Sequence, residues 1–279
     1  MKDFTDKVAV ITGAANGIGY GIAERCAQLG MKVVMAGINA DNLAAAEEKL
    51  KPTGAAVLSI RSDVSKREDI EALAQKTLDT FGAVHLLVNN AGVGAGTTVW
   101  ESTWEDWEWV IDVNLWGVIY GVKVFTPIMI AQDTEAYIVN VASVAGLLAN
   151  YVDTPTPYHV SKYAVVGLTE SLYHSFAKRE SKIRVSLLCP GWVKTSILKS
   201  GRNRPAELKN KPGSLINKEE AFELYKRMQE SLEAGISVEE CTEQLFKAIE
   251  DEQFYVLTDQ KYLPRIRERM ENILRQKNP

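Results

Sequence analysis

A glycine-rich turn set between an apolar run and a helical pattern constrains this chain more than any other feature. Val8-Ala9-Val10-Ile11 reads as a buried strand and leads straight into Thr12-Gly13-Ala14-Ala15-Asn16-Gly17-Ile18-Gly19, after which a helix is predicted over residues 17–29. Without Cβ atoms the backbone turns tightly and can approach an anion, and the unpaired N–H groups and dipole of the following helix favour negative charge there. Standing alone, such a turn is a weak signal. In this context it reads as the phosphate site of a first βα unit.

The rest of the chain repeats the alternation. Short apolar runs predict strands near residues 7–11, 32–36, 56–60, 84–88, 136–142, 183–189 and 253–257. Helical patterns lie between them at 17–29, 41–50, 66–81, 103–131 with a break, 157–179, 218–232 and 237–250. This is the order of βαβ units. It predicts an α/β doubly wound Rossmann fold, an approximately seven-stranded, mainly parallel sheet with helices on both faces and the ligand crevice at the carboxyl ends of the strands. At 279 residues, with no Pro/Ser/Gly-rich linker, the chain reads as one domain, 1–279. The tail 260–279 has Tyr262, Leu263, Ile266, Met270 and Ile273 at near-helical spacing, and reads as a helix docked on its own or a neighbouring subunit.

A second pattern names a chemistry. Tyr158 and Lys162 stand four positions apart, hence on one helical face, and Ser143 follows the apolar stretch that ends at Ala142. An ammonium beside a phenol favours the ionised form and brings its pKa down from about 10 toward the range useful for proton transfer at neutral pH. Alone, the pair would be an ordinary surface contact. The glycine turn, Asp63-Val64, Asn89-Asn90-Ala91-Gly92, Asn114, Ser143, Tyr158-x3-Lys162 and Pro190-Gly191-x-Val193-x-Thr195 all follow predicted strands or lie in the helices after them.

With these motifs in this order, residues 5–258 resemble the short-chain dehydrogenase/reductase family. The resemblance implies reversible hydride transfer between a nicotinamide dinucleotide and a carbonyl/alcohol carbon, with a small-molecule ketone or secondary alcohol as substrate. Tyr158 is then the general acid/base. Lys162 lowers the phenol pKa and bonds the nicotinamide ribose, Ser143 donates to the substrate oxygen, and Asn114 holds a water that links the site to solvent. The alternative for Asn114 is a helix-distorting amide satisfied by backbone.

For the cofactor, the resemblance places Gly13, Asn16, Gly17, Ile18 and Gly19 around the pyrophosphate loop and Asp63 and Val64 at the adenine. Asn90, Ala91 and Gly92 lie beneath the dinucleotide, and Pro190, Gly191, Val193 and Thr195 frame the carboxamide. The departure comes after the second strand. Gly37 and Ile38 stand where relatives that use NAD carry an aspartate, and Asn16 and Ile38 fill the positions of the basic residues found in strict NADP enzymes. Neither repulsion of a 2′-phosphate nor a cation to bind it is present. Backbone N–H groups with Asn39 and Asn42 can cradle a phosphate, so the cofactor expectation is NADP(H) or NAD(H), leaning to NADP(H).

The family places a substrate lid after the Pro-Gly motif, here residues 193–235. Its first part carries Lys194, Lys199, Arg202, Arg204, Lys209 and Lys211, either as a solvated basic loop or as an attraction for an anionic substrate. Val93, Gly94, Ala95, residues 144–151 and Trp192 supply the rest of a mainly apolar pocket, which favours a hydrophobic ketone or alcohol. Between Ser143 and Tyr158 the chain is a couple of residues longer than the family usually has, with Pro155 and Pro157 just before the tyrosine, and reads as a lengthened pocket rim. Five tryptophans, Trp100, Trp104, Trp107, Trp109 and Trp116, read mostly as core or subunit contacts.

A net charge of −4 argues against nucleic-acid binding, and no apolar run was expected to approach the roughly 20 residues of a membrane span. With no signal peptide read at the start, the expected location is cytoplasmic. Cys26, Cys189 and Cys241 read as buried thiols, and His85, His159 and His174 show no metal-ligand spacing, so no metal is expected. His159 projects about 100° from Tyr158 around the helix and should face elsewhere. Helices 115–131 and 157–179 are apolar on more than one face, which predicts a homodimer or homotetramer. A catalytically silent dinucleotide-sensing protein on the same fold is the competing function, and the presence of all four proton-transfer residues argues against it.

Overall fold

The structure, a computed structural model, describes residues 1–149, 155–211 and 218–278. Seven strands form, β1 Val8–Thr12, β2 Lys32–Gly37, β3 Val57–Arg61, β4 Leu86–Asn89, β5 Ala136–Val141, β6 Ile183–Cys189 and β7 Tyr255–Leu257. They pair in the order β3-β2-β1-β4-β5-β6-β7, and every pairing is parallel. The helices are α1 Gly17–Gln28, α2 Ala40–Leu50, α3 Arg67–Phe81, α4 Trp104–Ile111, α5 Gly117–Gln132, α6 Thr156–Ala177, α7 Lys218–Glu233, α8 Val238–Glu250 and α9 Leu263–Leu274. The doubly wound fold expected from the alternation is the fold observed.

Strand side chains point alternately to the two faces, so one apolar run feeds two cores. Ala9, Ile11, Val33 and Met35 join Ile22 of α1 and Leu245 of α8 on one face. Val8, Val10 and Val34 join Leu73 of α3 and Phe125 of α5 on the other. Both faces being covered, β1 reads as a continuous apolar run, and burial of each large side chain contributes about 1.5–3 kcal/mol. Because β1 has β2 on one side and β4 on the other, the connections diverge there. A crevice opens between the carboxyl ends of these strands.

Two expectations require correction. The break predicted within 103–131 is a π turn, Asp112–Trp116, that joins α4 to α5 without interrupting the helix. The resulting helix, Trp104–Gln132, is long and apolar enough by length and composition to cross a membrane, contrary to the expectation that no run approached that length. Here it packs on α3 and α6, with Val110, Phe125 and Met129 in the core.

After β6 the chain leaves the sheet, and it rejoins it only at β7; the two ends of the segment that follows β6 meet in an isolated bridge. Val193 pairs with Ile236, the Lys194 N–H donates to the Ile236 carbonyl at 3.0 Å, and the Ile236 N–H donates to the Trp192 carbonyl at 3.0 Å. The intervening segment holds two 3-10 turns, Ile197–Asn203 and Ala206–Leu208, and then α7. Residues 212–217 of the expected lid, and Tyr151 of the expected pocket rim, lie outside the described residues. The tail forms α9 and docks on its own subunit through Tyr262 and Ile266, leaving Met270 and Ile273 exposed.

Candidate active site

Ser143 follows β5 and starts a 3-10 turn, where its Oγ accepts from the Ala145 N–H at 3.1 Å and donates to the Pro190 carbonyl at 3.4 Å. This holds the end of β5 against the start of the segment after β6. Tyr158 and Lys162 lie one turn apart on α6, with Lys162 Nζ 5.5 Å from the centre of the Tyr158 ring. The same Nζ donates to the Val141 carbonyl at 2.9 Å, so the ammonium is anchored to β5. Two elements, the turn after β5 and α6, thus bring Ser143, Tyr158 and Lys162 to the crevice.

Burial dominates the electrostatics. It raises the Tyr158 pKa above its ordinary value, with hydrogen bonding to Ser143 acting in the opposite sense. Burial also lowers Lys162 to about 8, offset in part by the nearby Cys189. The phenol is thus held above its ordinary value by its own desolvation, contrary to the depression expected from the Tyr-x3-Lys spacing. Cys189 is itself pushed up to about 12 by burial, which keeps it a thiol.

Asn114 and Gly19 lie one layer behind the crevice wall. Asn114 sits in the π turn, where its Oδ1 accepts from the Val93 N–H at 2.8 Å and its Nδ2 donates to the Val93 carbonyl at 2.9 Å and to Ser161 Oγ at 3.1 Å. It fixes the loop after β4 and bonds the residue beside Lys162. Gly19 lies at a close approach, since a Cβ there would come within 2.4 Å of both Asn90 Nδ2 and the Gly13 carbonyl. Gly13 has φ +65°, a left-handed conformation that favours glycine. Thr12 Oγ1 accepts from the N–H groups of Asn90 and Ala91 at 2.9 and 3.1 Å, and Asn90 Nδ2 donates to the Thr12 carbonyl at 2.8 Å. These bonds tie the ends of β1 and β4 together at the mouth of the crevice.

The other expected cofactor residues line that crevice: Gly13, Asn16, Gly17 and Ile18; Gly37 and Ile38; Asp63 and Val64; Asn90, Ala91 and Gly92; Pro190, Gly191, Val193 and Thr195. Asn39 and Asn42 line it as well, but the Asn39 side chain accepts from the Asn42 N–H at 2.9 Å and caps α2. Its amide oxygen is committed to the helix. Asp63 Oδ1 accepts from the N–H and hydroxyl of Ser65, at 3.1 and 2.6 Å.

The far wall belongs to the segment after β6. Ala221, Leu224, Tyr225, Met228 and Leu232 form one stripe of α7 that lines the same crevice as Ser143 and Tyr158. Arg204, read among the lid cations as either solvated or attracting an anionic substrate, does neither: it is buried against Asp106 and lies 5.1 Å from the centre of the Trp109 ring. Trp109 is the one tryptophan of the five that lines the crevice, while Trp104 is 86% exposed and Trp100 78%, neither of them core. His159 is buried, with Nδ1 3.4 Å from the Pro155 carbonyl, and does not line the crevice. All three cysteines are buried and free, and no metal-binding cluster of His, Cys, Asp or Glu occurs among the described residues.

A family model for short chain dehydrogenases matches residues 7–206. The chain belongs to the short-chain dehydrogenase/reductase family. A CLA biosynthesis dehydrogenase/reductase of Lactiplantibacillus plantarum is 37% identical over 276 residues, 98% of this chain and 95% of that protein. A short-chain dehydrogenase/reductase from Burkholderia phymatum, solved in complex with NAD, is 43% identical with a TM-score of 0.95, covering 100% of this chain and 98% of that one. A cyclohexanol dehydrogenase of an Acinetobacter species is 35% identical over 196 residues, 70% of this chain and 76% of that protein. The protein is an NAD(P)-dependent oxidoreductase with a nicotinamide dinucleotide as cofactor.

The crevice of this oxidoreductase fits such a cofactor. Close approach at Gly13 and Gly19 keeps the turn free of side chains, and the Asn16 side chain makes no capping bond to α1, so the first N–H groups of that helix face the crevice unscreened. Ser62, 1% exposed, lines the crevice beside Asp63 with its Oγ unpartnered among the described residues, as a group placed for a ligand would be. Ser62 and the α7 stripe were missed by the sequence reading, whereas Trp109 was read with the core or subunit contacts and Arg202 with the lid cations, either solvated or attracting an anionic substrate. Only the stripe had a signal, apolar residues at helical spacing from Ala221 to Leu232.

Proposed function

We propose that this enzyme interconverts an apolar ketone and its secondary alcohol, with Tyr158 as the proton-transfer group. The observation that carries the reading is that Ser143, Tyr158 and Lys162 line one crevice together with the apolar stripe of α7. When bound, the nicotinamide dinucleotide supplies or accepts the hydride. Tyr158 gives its proton to the carbonyl oxygen in reduction and takes it from the alcohol in oxidation. Ser143 donates to the same oxygen and polarises the carbonyl. Lys162 acts against the burial of the phenol by favouring its ionised form, and Asn114, bonded to Val93 and Ser161, holds the surrounding backbone and serves the proton path to solvent.

Gly13, Asn16, Gly17, Ile18 and Gly19 surround the cofactor pyrophosphate, Asp63 and Val64 meet the adenine, and Asn90, Ala91 and Gly92 lie beneath. Pro190, Gly191, Val193 and Thr195 hold the nicotinamide, with Lys162 at its ribose. Gly37 and Ile38 face the adenosine ribose. With no carboxylate at Gly37 to repel a 2′-phosphate, the preference is for NADP(H), with NAD(H) also accepted. Residues 193–235 act as the substrate lid. The apolar stripe of α7 and the cyclohexanol named for one relative support a hydrophobic substrate.

The enzyme is read as a cytoplasmic homo-oligomer, whose exposed Trp116 of the π turn, Ile130 of α5 and Val160 and Tyr173 of α6 meet a second copy. A panel of ketones and secondary alcohols, followed in both directions by nicotinamide absorbance, tests the function. Turnover is expected to favour cyclic and long-chain apolar substrates, and Leu224→Ser to raise KM for these more than for a three-carbon ketone. A panel in which only charged or sugar substrates react would overturn the reading.

A further inference from the structure

An anionic cofactor that finds no cation at Asn16 or Ile38 needs charge from elsewhere. Among the described residues lining the crevice, two are cations, Lys162 and Arg202, and two are acids, Asp63 and Asp112. Lys162 is anchored to the Val141 carbonyl beside the Tyr158 ring, at the reacting end. Arg202 is the other. Of the six basic residues in the first part of the lid segment, it alone lines the crevice, while Arg204, two positions on, is buried against Asp106.

Arg202 is held where the lid meets the glycine turn. Its Nη1 donates to the carbonyls of Ser196 and Lys199 at 3.2 and 2.8 Å, and its Nη2 donates to Ser196 Oγ at 3.1 Å. Ser196 Oγ in turn donates to Asn16 Oδ1 at 3.1 Å, across 180 residues of sequence. Asn16 stands just before α1, where an asparagine ordinarily caps the helix, yet its side chain makes no capping bond. It is turned to the lid. The guanidinium has five N–H donors, and these three bonds leave its Nε–H and one Nη2–H unused. A cation oriented by backbone carbonyls and tethered to the glycine turn is preorganised for a phosphate oxygen.

We propose that Arg202 binds a phosphate of the dinucleotide, carried to the glycine turn by the lid through the Arg202–Ser196–Asn16 chain. The inference rests on the reading of the crevice as a dinucleotide site.

The test is the affinity of wild type, Arg202→Gln, Arg202→Lys and Ser196→Ala for NADH and NADPH, measured by quenching of protein fluorescence, with adenosine as the phosphate-free control. Loss of one charge-assisted contact is expected to weaken dinucleotide binding about 10- to 100-fold in Arg202→Gln, with partial recovery in Arg202→Lys and a smaller loss in Ser196→Ala. Adenosine binding should not change. A greater loss for NADPH assigns Arg202 to the 2′-phosphate and an equal loss to the pyrophosphate, and either outcome supports it. Dinucleotide affinities within about two-fold of wild type in folded Arg202→Gln, or an equal loss for adenosine, overturn the proposal while leaving the dinucleotide reading intact. If Arg202→Gln fails to fold, equal affinity of Ser196→Ala and wild type decides against it. Wild type that binds neither dinucleotide removes both.

Discussion

Arg204 Nη1 lies 2.7 Å from Asp106 Oδ1, and the two side chains are 9% and 4% exposed. Asn210 completes the pair, its Nδ2 donating to the same Asp106 oxygen at 3.0 Å and its Oδ1 accepting from Arg204 Nη2 at 2.9 Å. Asp106 also closes the capping box that starts α4 with Thr103. The front of the lid segment is therefore pinned to α4 with Trp109 beneath the guanidinium. Buried pairs of this kind tend to fix an arrangement rather than to add net stability.

Breaking the pair from one side leaves an uncompensated buried charge. Arg204→Met or Asp106→Asn is expected to destabilise the protein by about 3–5 kcal/mol, and the double variant by clearly less than the sum. Urea denaturation of the three variants measures this. Additive losses would mean that the two groups do not act as a pair.

Tyr158→Phe removes one oxygen and little else. It should lower kcat by about 10²- to 10⁴-fold while leaving dinucleotide affinity within a few-fold. Retention of more than about a tenth of kcat would take the proton-transfer role away from Tyr158.

Lys162 ties stability to pH with a defined sign. Its pKa is about 8 in the folded protein against 10.5 for a free lysine, so between these values the unfolded chain holds a proton that the folded one releases. Stability attributable to this site therefore rises with pH through that window, and below it the cost of burying the ammonium is fully present. The cost is on the order of a few kcal/mol. The stability of Lys162→Met relative to wild type, measured by denaturation at pH 7 and pH 9.5, should accordingly be more favourable at the lower pH. A difference independent of pH would show that the ammonium is not desolvated.

Gly37 is open to a side chain, since an added Cβ would meet Leu43 at 3.6 Å, an ordinary contact. Gly37→Asp should therefore fold and bring a carboxylate to the adenosine end of the crevice. Repulsion of a 2′-phosphate at effective dielectrics between water and about 20 is expected to shift the NADH-to-NADPH ratio of kcat/KM about ten- to several-hundred-fold toward NADH. An unchanged ratio would remove the end of β2 as the determinant and leave the preference for NADP(H) without its basis.

The alternation of strands and helices, the glycine turn and the Tyr158–Lys162 face were legible from sequence because each depends on residues close in the chain. Backbone periodicity decides which side chains share a face, and a Cβ-free turn after a buried strand has few other uses. The seven strands appeared within a few residues of their predicted places, and most of the expected cofactor residues line the crevice. Partners far apart in sequence were not legible. Arg202 and Arg204 look alike in the sequence, yet one faces the crevice and the other a buried carboxylate 98 residues away. Asn16 reads as a residue of the pyrophosphate loop until Ser196 comes across to meet it. Nor does the spacing of Tyr158 and Lys162 determine their pKa values, because desolvation depends on how completely other elements cover them. Local pattern thus determined the fold and the residues of the site, and only the packing of distant elements decided their charge, their partners and the wall they face.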